Sequence, residues 1–402
     1  MLGVNILKNL RFLLDSSREA IDTLVRVLPT VRTSEHQKKK RRILIIRLDG
    51  IGDFILFLDT FKEYRKLYSP EEWEITLLGN RIWHVLAENL PYADHYWFID
   101  IKRFTRDPVY RYRLLCKVKK ASFDLIIRPN YSRGYWLGDA IVRASGAPKR
   151  IGSEGDLINI THAQKQRSNR WYTDLIPAVT KHIMELERNA EFIRGLGLTD
   201  FQADLPKLII PDEAQKRGDA TLEKLGLHKS SSSDFTDFYI LFPGAGAKHR
   251  QWPGECFADL AQRIYDHNGW PGVVCGGAGE ETIAQKLLAL AANTPLLNLS
   301  GRVNLIELSG IIRRSKILIG NETSAVHIAS AVGVPSICIL GGGHFGRFAP
   351  YSIPNNIRTI YKKMDCFGCN WKCIHKIEKD KPVPCIEQIE VHQVMENIKS
   401  LL

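Results

Sequence analysis

Nowhere in the 402-residue sequence do 18 to 20 apolar residues run uninterrupted, which excludes a multispanning membrane protein. The N-terminus also lacks an apolar run ending in a small-residue cleavage site, so no signal peptide is expected and the cytoplasm is the expected compartment. Acidic residues are in deficit, 44 against 56 Lys and Arg, leaving a net charge of +12. An apolar share of 44% with 25% charged residues excludes wholesale disorder. At roughly 150 residues per domain, the length implies two or three folded domains.

The positive balance favours an anionic partner: nucleic acid, a membrane surface or a phosphate-bearing substrate. Residues 1–42 hold ten Lys or Arg and four acids, so half of the net charge lies in a tenth of the chain. Between those charges Leu7, Leu10, Leu14, Ile21, Leu24, Val25 and Leu28 recur at helical spacing, and Pro29 would close the helix. This amphipathic helix can lie on the anionic inner membrane surface, with the basic run Lys38 to Arg42 adding attraction. It can equally pack on the body of the protein or on another subunit, and amphipathicity does not separate the two. No recognised nucleic-acid module accompanies the charge, so nucleic acid is not an expected partner, although a basic nucleic-acid-binding protein is an alternative reading.

Beyond the basic run, strands and helices alternate. Arg42 to Leu48 (RILIIRL) reads as a buried parallel strand, Asp49 to Asp53 (DGIGD) as a glycine turn, and Phe54 to Tyr68 as a helix. Strands follow at 74–78, 95–99 and 123–128, with helices at 81–89 and 109–120. A second series has strands at 238–242, 272–275, 317–319 and 336–340, with helices at 256–267, 280–292, 305–315 and 325–332. Such alternation implies parallel sheets and an α/β fold. The expected organisation is an N-terminal helix at 1–42, a Rossmann-like domain at 43–205, a linker at 206–237 containing the polar stretch 230–234, a second Rossmann-like domain at 238–362, and a C-terminal cysteine knuckle with a helix at 363–402. Doubly wound domains bind ligands outside the carboxyl ends of their strands, which places the expected site in a cleft between the two.

Three turns of the second half have the chemistry of a diphosphate site. Pro243 to Pro253 (PGAGAKHRQWP) sets small residues, Gly244 among them, after a strand and brings Lys248 and Arg250 within reach. Gly276 to Gly279 is not a GxGxxG fingerprint, and Glu280 and Glu281 behind Gly277 either bind ribose hydroxyls or, by default, favour the helix start. Gly320 to His327 (GNETSAVH) opens a helix after a strand, where Thr323 or Ser324 can serve as a helix cap and His327 as a satisfied polar group.

Taken together, Ile43 to Asp53, Arg150-Ile151-Gly152, His182-x-x-Glu185-x-x-x-Asn189 and the three turns resemble glycosyltransferase family nine. These are the ADP-heptose heptosyltransferases of lipopolysaccharide assembly. The similarity spans about residues 43–362 and implies the GT-B fold of two doubly wound domains. It also implies a nucleotide-sugar donor, a lipid-linked glycan or protein acceptor, inverting transfer, and no catalytic metal. In that chemistry the resemblance makes Asp53 the base that deprotonates the acceptor hydroxyl. Arg250, with Lys248 as alternate, would stabilise the departing diphosphate, with backbone donors around Thr323, Ser324 and Ala325. Two departures stand out: the family usually has Asp-Ser-Gly or Asp-Thr-Gly where Glu322-Thr323-Ser324 stands, and Lys where Arg250 stands. Another nucleotide-sugar enzyme on the same frame, such as an epimerase, is the remaining alternative.

Four cysteines, Cys116, Cys256, Cys275 and Cys338, are scattered like small core residues. Cys366, Cys369, Cys373 and Cys385 fall within twenty residues, a spacing that closes a tetrahedral thiolate shell around one structural zinc or iron ion. Two disulfides are the alternative, disfavoured in a reducing compartment. Some members of the resembled family, including those that modify autotransporter adhesins, carry a similar finger that holds iron.

Overall fold

The structure is a computed structural model. It describes residues 2–29, 40–228, 235–378 and 380–402, with side chains from residue 13 onward. The basic residues 38 and 39 and the polar stretch 230–234 lie outside the described residues. Two compact units are present, one of Met1–Gly50, Thr60–Lys181 and Glu187–Gln202, the other of Ile51–Asp59, His182–Leu186 and Ala203–Leu402.

Each unit is built on one six-stranded parallel sheet. The first contains β1 (Arg41–Arg47), β2 (Trp73–Asn80), β3 (His95–Ile99), β4 (Leu125–Arg128), β5 (Lys149–Ser153) and β6 (Asp174–Ile176), in the order β3-β2-β1-β4-β5-β6. The second contains β7 (Tyr239–Phe242), β8 (Gly272–Val274), β9 (Leu296–Asn298), β10 (Ile317–Asn321), β11 (Ser336–Ile339) and β12 (Ile357–Ile360), in the order β12-β11-β10-β7-β8-β9. Counted from its own first strand, each sheet has the same order, with the chain reversing direction between its first and fourth strands. Ile43 to Ile46, Tyr239 to Leu241 and Ile317 to Ile319 are all fully buried, because helices cover both faces of a parallel sheet.

Strands β5, β6, β9 and β12, all but β5 at a sheet edge, escape a reading of apolar runs. Their sequences, KRIGS, DLI, LLN and IRTI, are short and carry charged or polar residues. Pairing makes them strands, for example Ile127 with Ile151 and Gly152 with Leu175. The expected helix at 81–89 is a 3-10 turn, Arg81–Trp83, followed by a single helical turn, His84–Ala87. The stretch 206–237 is part of the second unit: its helix Asp212–Lys224 buries Ala214 and Leu222, and Asp219 pairs with Arg314 at 2.8 Å. Ile51–Asp59, which the reading of the chain puts in the first domain, clusters with the second unit.

The N-terminal helix spans Leu2–Val27. Its described half is anchored to the first unit by charge more than by its apolar stripe. Leu14 and Leu24 are exposed, whereas Val25 and Asp22 are buried. Both Asp22 oxygens accept from Arg111, at 2.7 and 2.6 Å, in a pair shut off from solvent. Glu19 accepts from Arg143 at 2.7 Å, and Arg18 Nε donates to the Thr105 carbonyl at 3.0 Å. Of the two roles open to this helix, packing on the body describes the half from Leu13 onward. Among the described residues no helix is long and apolar enough to cross a membrane.

Candidate functional site

In the second sheet the switch in strand order falls between β7 and β10, where an open α/β sheet places its ligand crevice. Asn321, the fully buried last residue of β10, ties the turns after these two strands together. Its Nδ2 donates to the Pro243 and Gly244 carbonyls at 2.8 and 3.2 Å, and its Oδ1 accepts from the Trp252 amide at 2.9 Å. The Trp252 indole N–H donates to the Ile389 carbonyl at 2.9 Å, so the Trp-Pro pair ending the PGAGAKHRQWP segment is an anchor inside the fold. Above these strand ends opens a cavity of about 480 Å³, within the size range of small-molecule sites. Asp53, Arg250, Gly277, Glu280, Glu322, Thr323, Ser324 and His327 line it, with Phe242, Leu305 and Phe348 as apolar wall.

Arg250 and Glu322 are the charged centre of this cavity. Arg250 Nη2 donates to Glu322 Oε2 at 3.2 Å, while the buried Arg250 Nε has no hydrogen-bond partner. Burial raises the Glu322 carboxyl to about 7; Arg250 and Arg347 pull it down and Asp53 pushes it up. A folded-state value above the ordinary 4.5 means that the native chain holds an extra proton between about pH 4.5 and about pH 7. The stability contributed there is full below that window and is lost as pH rises through it, by up to ~3 kcal/mol. Glu322→Gln should remove this component. Melting profiles of the two proteins that fall in parallel from pH 5 to pH 7.5 would exclude Glu322 as the titrating group.

His327 is buried and, by desolvation, lowered to about 4, so it is neutral at physiological pH. Its Nδ1 is hydrogen-bonded to the Tyr351 hydroxyl at 2.8 Å. The far edge of the ring lies against the DGIGD turn: a Cβ on Gly52 would fall 2.9 Å from His327 Cδ2. Glycine is what lets that turn approach. Asp53, in the first turn of the helix Ile51–Phe61, thereby reaches the cavity. A carboxylate at that position is also stabilised by the helix N-terminus.

Four of the expected donor-site residues stand off the cavity wall. The exposed Lys248 pairs with Asp380 at 2.8 Å, Ala325 is buried in the helix Ser324–Ala331, and Glu281 accepts from the Gly279 amide at 2.9 Å. Gly244 backs the turn, where a Cβ would collide with the Glu280 carboxylate. Glu280 does line the cavity, yet its Oε2 accepts from the Gly277 amide at 2.7 Å. It braces the glycine turn, a role outside the two that the sequence suggests. Thr323 Oγ1 is buried without a partner.

The equivalent switch in the first sheet lies between β1 and β4, and a polar cavity of about 460 Å³ opens there. Asp49, Arg128 and Asn130 line it together with Asp15 and Arg18 of the N-terminal helix. Asp49 accepts from Arg47 Nε and, at 2.7 Å, from Asn130 Nδ2. Arg47 Nη1 in turn donates to Asn189 Oδ1 at 2.9 Å. Reasoning from the sequence passed over Asp49, although it shares a turn with Asp53. A larger cavity of about 700 Å³ runs along the N-terminal helix. Its lining has no glycine turn, the helix start on its wall at Ala163 and Gln164 is capped by Thr161, whose hydroxyl accepts from the Gln164 amide at 3.2 Å, and its Glu19 is already shared by Arg143 and Arg167. Of the other motif residues, His182 Nε2 is hydrogen-bonded to the Phe345 carbonyl at 2.9 Å and the Glu185 amide donates to the Arg347 carbonyl at 2.7 Å, so both serve the second unit. Arg150 Nε donates to the Trp171 carbonyl at 2.6 Å in the first.

Cys366, Cys369, Cys373 and Cys385 line one small cavity of about 10 Å³, together with Trp371 and His375. All four are free thiols. Burial raises the Cys385 thiol, against the Gly342 amide that donates to its sulfur at 3.4 Å and with a smaller push from the other three cysteines. The donor set fits a thiophilic metal in type. Among the described residues, no three His, Cys, Asp or Glu are drawn together closely enough to hold one.

The family described as glycosyltransferase family 9 (heptosyltransferase) matches residues 111–375 of this chain. Lipopolysaccharide heptosyltransferase 3 of Escherichia coli K12 is 24% identical over 293 residues, covering 72% of this chain and 79% of that protein. A solved glycosyl transferase of family 9 from Veillonella parvula superposes with a TM-score of 0.72 at 20% identity, over 90% of this chain and 97% of that one. The E. coli heptosyltransferase WaaC, solved with ADP-2-deoxy-2-fluoro heptose, superposes with a TM-score of 0.64 at 15% identity, over 90% of this chain and 100% of that one.

Proposed function

This chain belongs to glycosyltransferase family 9, the heptosyltransferases, and we propose that as such an enzyme it transfers heptose from ADP-heptose, with inversion, to a hydroxyl of a lipopolysaccharide core acceptor. The observation that carries this reading is the meeting of Asp53, Arg250 and the Glu322–Ser324 turn around one cavity at the switch point of the second sheet. Asp53 takes the proton from the acceptor hydroxyl, whose oxygen attacks the anomeric carbon as the bond to the diphosphate breaks on the opposite face. The negative charge arriving on the diphosphate is met by Arg250 and by the free amides at the start of the helix Ser324–Ala331. Glu322, held up to about 7 by burial, is only about half ionised near neutrality, which reduces the negative charge beside the leaving group.

The basic composition that suggests nucleic acid is partly consumed inside the fold, as with Arg111 on Asp22 and Arg47 on Asp49. Neither that reading nor an epimerase is favoured for a member of a transferase family. Mass spectrometry of products formed from ADP-heptose with a lipopolysaccharide-core acceptor and with a protein acceptor tests the proposal. One heptose added to the core glycan is the expected result. Addition to protein alone would replace the acceptor, and a donor isomer with no transfer would overturn the reading.

The proposal extends to a single structural zinc or iron held by Cys366, Cys369, Cys373 and Cys385, which would close the cavity they line. Anaerobically purified protein is expected to contain about one such ion per chain, and Cys373→Ser to release it. Metal-free protein with four freely alkylated thiols would exclude the site.

A further inference from the structure

In the cysteine knuckle one side chain lies against a residue of the donor cavity. Trp371 lies between Cys369 and Cys373, and its ring is stacked against Arg250, with the guanidinium carbon 4.2 Å from the ring centroid. Its indole N–H donates to His344 Nδ1 at 3.1 Å, and His344 Nε2 is hydrogen-bonded to Asn370 Oδ1 at 2.7 Å. That pattern needs a neutral imidazole with Nδ1 free to accept, and burial, the largest influence on His344, holds its pKa down. The ring of Trp371 rests on the glycine run after β11. A Cβ on Gly341 would fall 2.7 Å from Trp371 Cη2, and one on Gly343 would collide with the ring.

Reaching this seat takes unusual backbone. Asn370 and Trp371 are consecutive non-glycine residues at φ 49° and 61°, a conformation that is unfavourable for a residue with a Cβ and persists only where surrounding contacts enforce it. The contacts enforcing it are those just given, and their common consequence is a flat aromatic face against Arg250. Only one of the Arg250 nitrogens is held by Glu322. The ring restrains the guanidinium plane without using its N–H groups, so the donors stay available.

We infer that Trp371 is a positioning residue for the donor: it holds the Arg250 guanidinium toward the diphosphate and so couples the knuckle to donor binding. This rests on the reading of the cavity as a nucleoside-diphosphate site. The probe is ADP, titrated calorimetrically into the full-length protein. Trp371→Leu, which fills the glycine seat but lacks a π face, should weaken ADP roughly five- to thirtyfold. Trp371→Phe should stay within about threefold of the parent, and neither should shift the acceptor KM. In an Arg250→Ala background, Trp371→Leu should add less than about twofold.

Equal affinity in Trp371→Leu and the parent, or a loss of the same size with and without Arg250, would overturn the inference while leaving the donor site intact. Unchanged ADP affinity in Arg250→Ala alone would remove the donor site itself, and the inference with it. Melting points separate folding from positioning: equal losses of ADP binding in the Leu and Phe variants, tracking equal losses of melting temperature, would reduce Trp371 to a structural part of the knuckle.

Discussion

Replacing Asp53 with Asn should lower turnover by on the order of a hundredfold or more while ADP binding stays within a few-fold of the parent. Asn preserves the shape and the place in the first turn of the helix Ile51–Phe61 but has no basicity to offer an acceptor hydroxyl. The helix N-terminus favours the carboxylate and so opposes its use as a base. Glu322 on the same cavity wall works the other way when it ionises, because like charges disfavour one another. The coupling gives a second readout. The Asp53 charge helps to hold the Glu322 carboxyl up, so in Asp53→Asn the pH-dependent stability assigned to Glu322 should move to lower pH. Near-normal turnover in the Asn variant would take the base role away from Asp53.

The largest stability effect is expected at Asp22. The Asp22–Arg111 pair is excluded from solvent, with both carboxylate oxygens bonded to the guanidinium. Asp22→Ala strands a buried cation, which costs about 3–5 kcal/mol when one partner of a buried pair is removed. Substituting both, as Asp22→Leu with Arg111→Met, should recover most of that loss, because apolar residues of similar volume need no charge partner. Urea unfolding followed by circular dichroism would measure both variants. A cost under about 1 kcal/mol for Asp22→Ala would mean that the N-terminal helix is held by something other than this pair.

Much of the frame was legible along the chain. β1, β4, β7, β10 and β11 are continuous apolar runs because parallel strands are covered on both faces. The glycine turns after β1, β7 and β8 appear as abrupt changes of composition, and they mark strand ends where the chain must turn sharply. β5, β6, β9 and β12 were hidden because a strand of only three to five residues owes its conformation to its neighbours' hydrogen bonds. Asn321 sat unremarked within a motif noted for its neighbours, since its use depends on two carbonyls of one turn, 77 and 78 residues away.

The N-terminal helix shows the limit most clearly. Its periodicity was readable, but the choice of which face turns inward was not, because Asp22 is buried by an arginine 89 residues away. Lys248 and Arg250 look equivalent in sequence. Asp380 draws Lys248 to the surface, while Glu322 and Trp371 hold Arg250 at the cavity. Two parallel sheets, their glycine turns and the residue types fit for a diphosphate could be read along the chain, because strand burial, turn geometry and helix starts are local properties of the backbone. Burial and ion pairing depend on partners that only packing brings within a few ångströms, so which charges pair in the core, which cation faces the cavity of the second sheet and that Trp371 stacks on it came only with the fold.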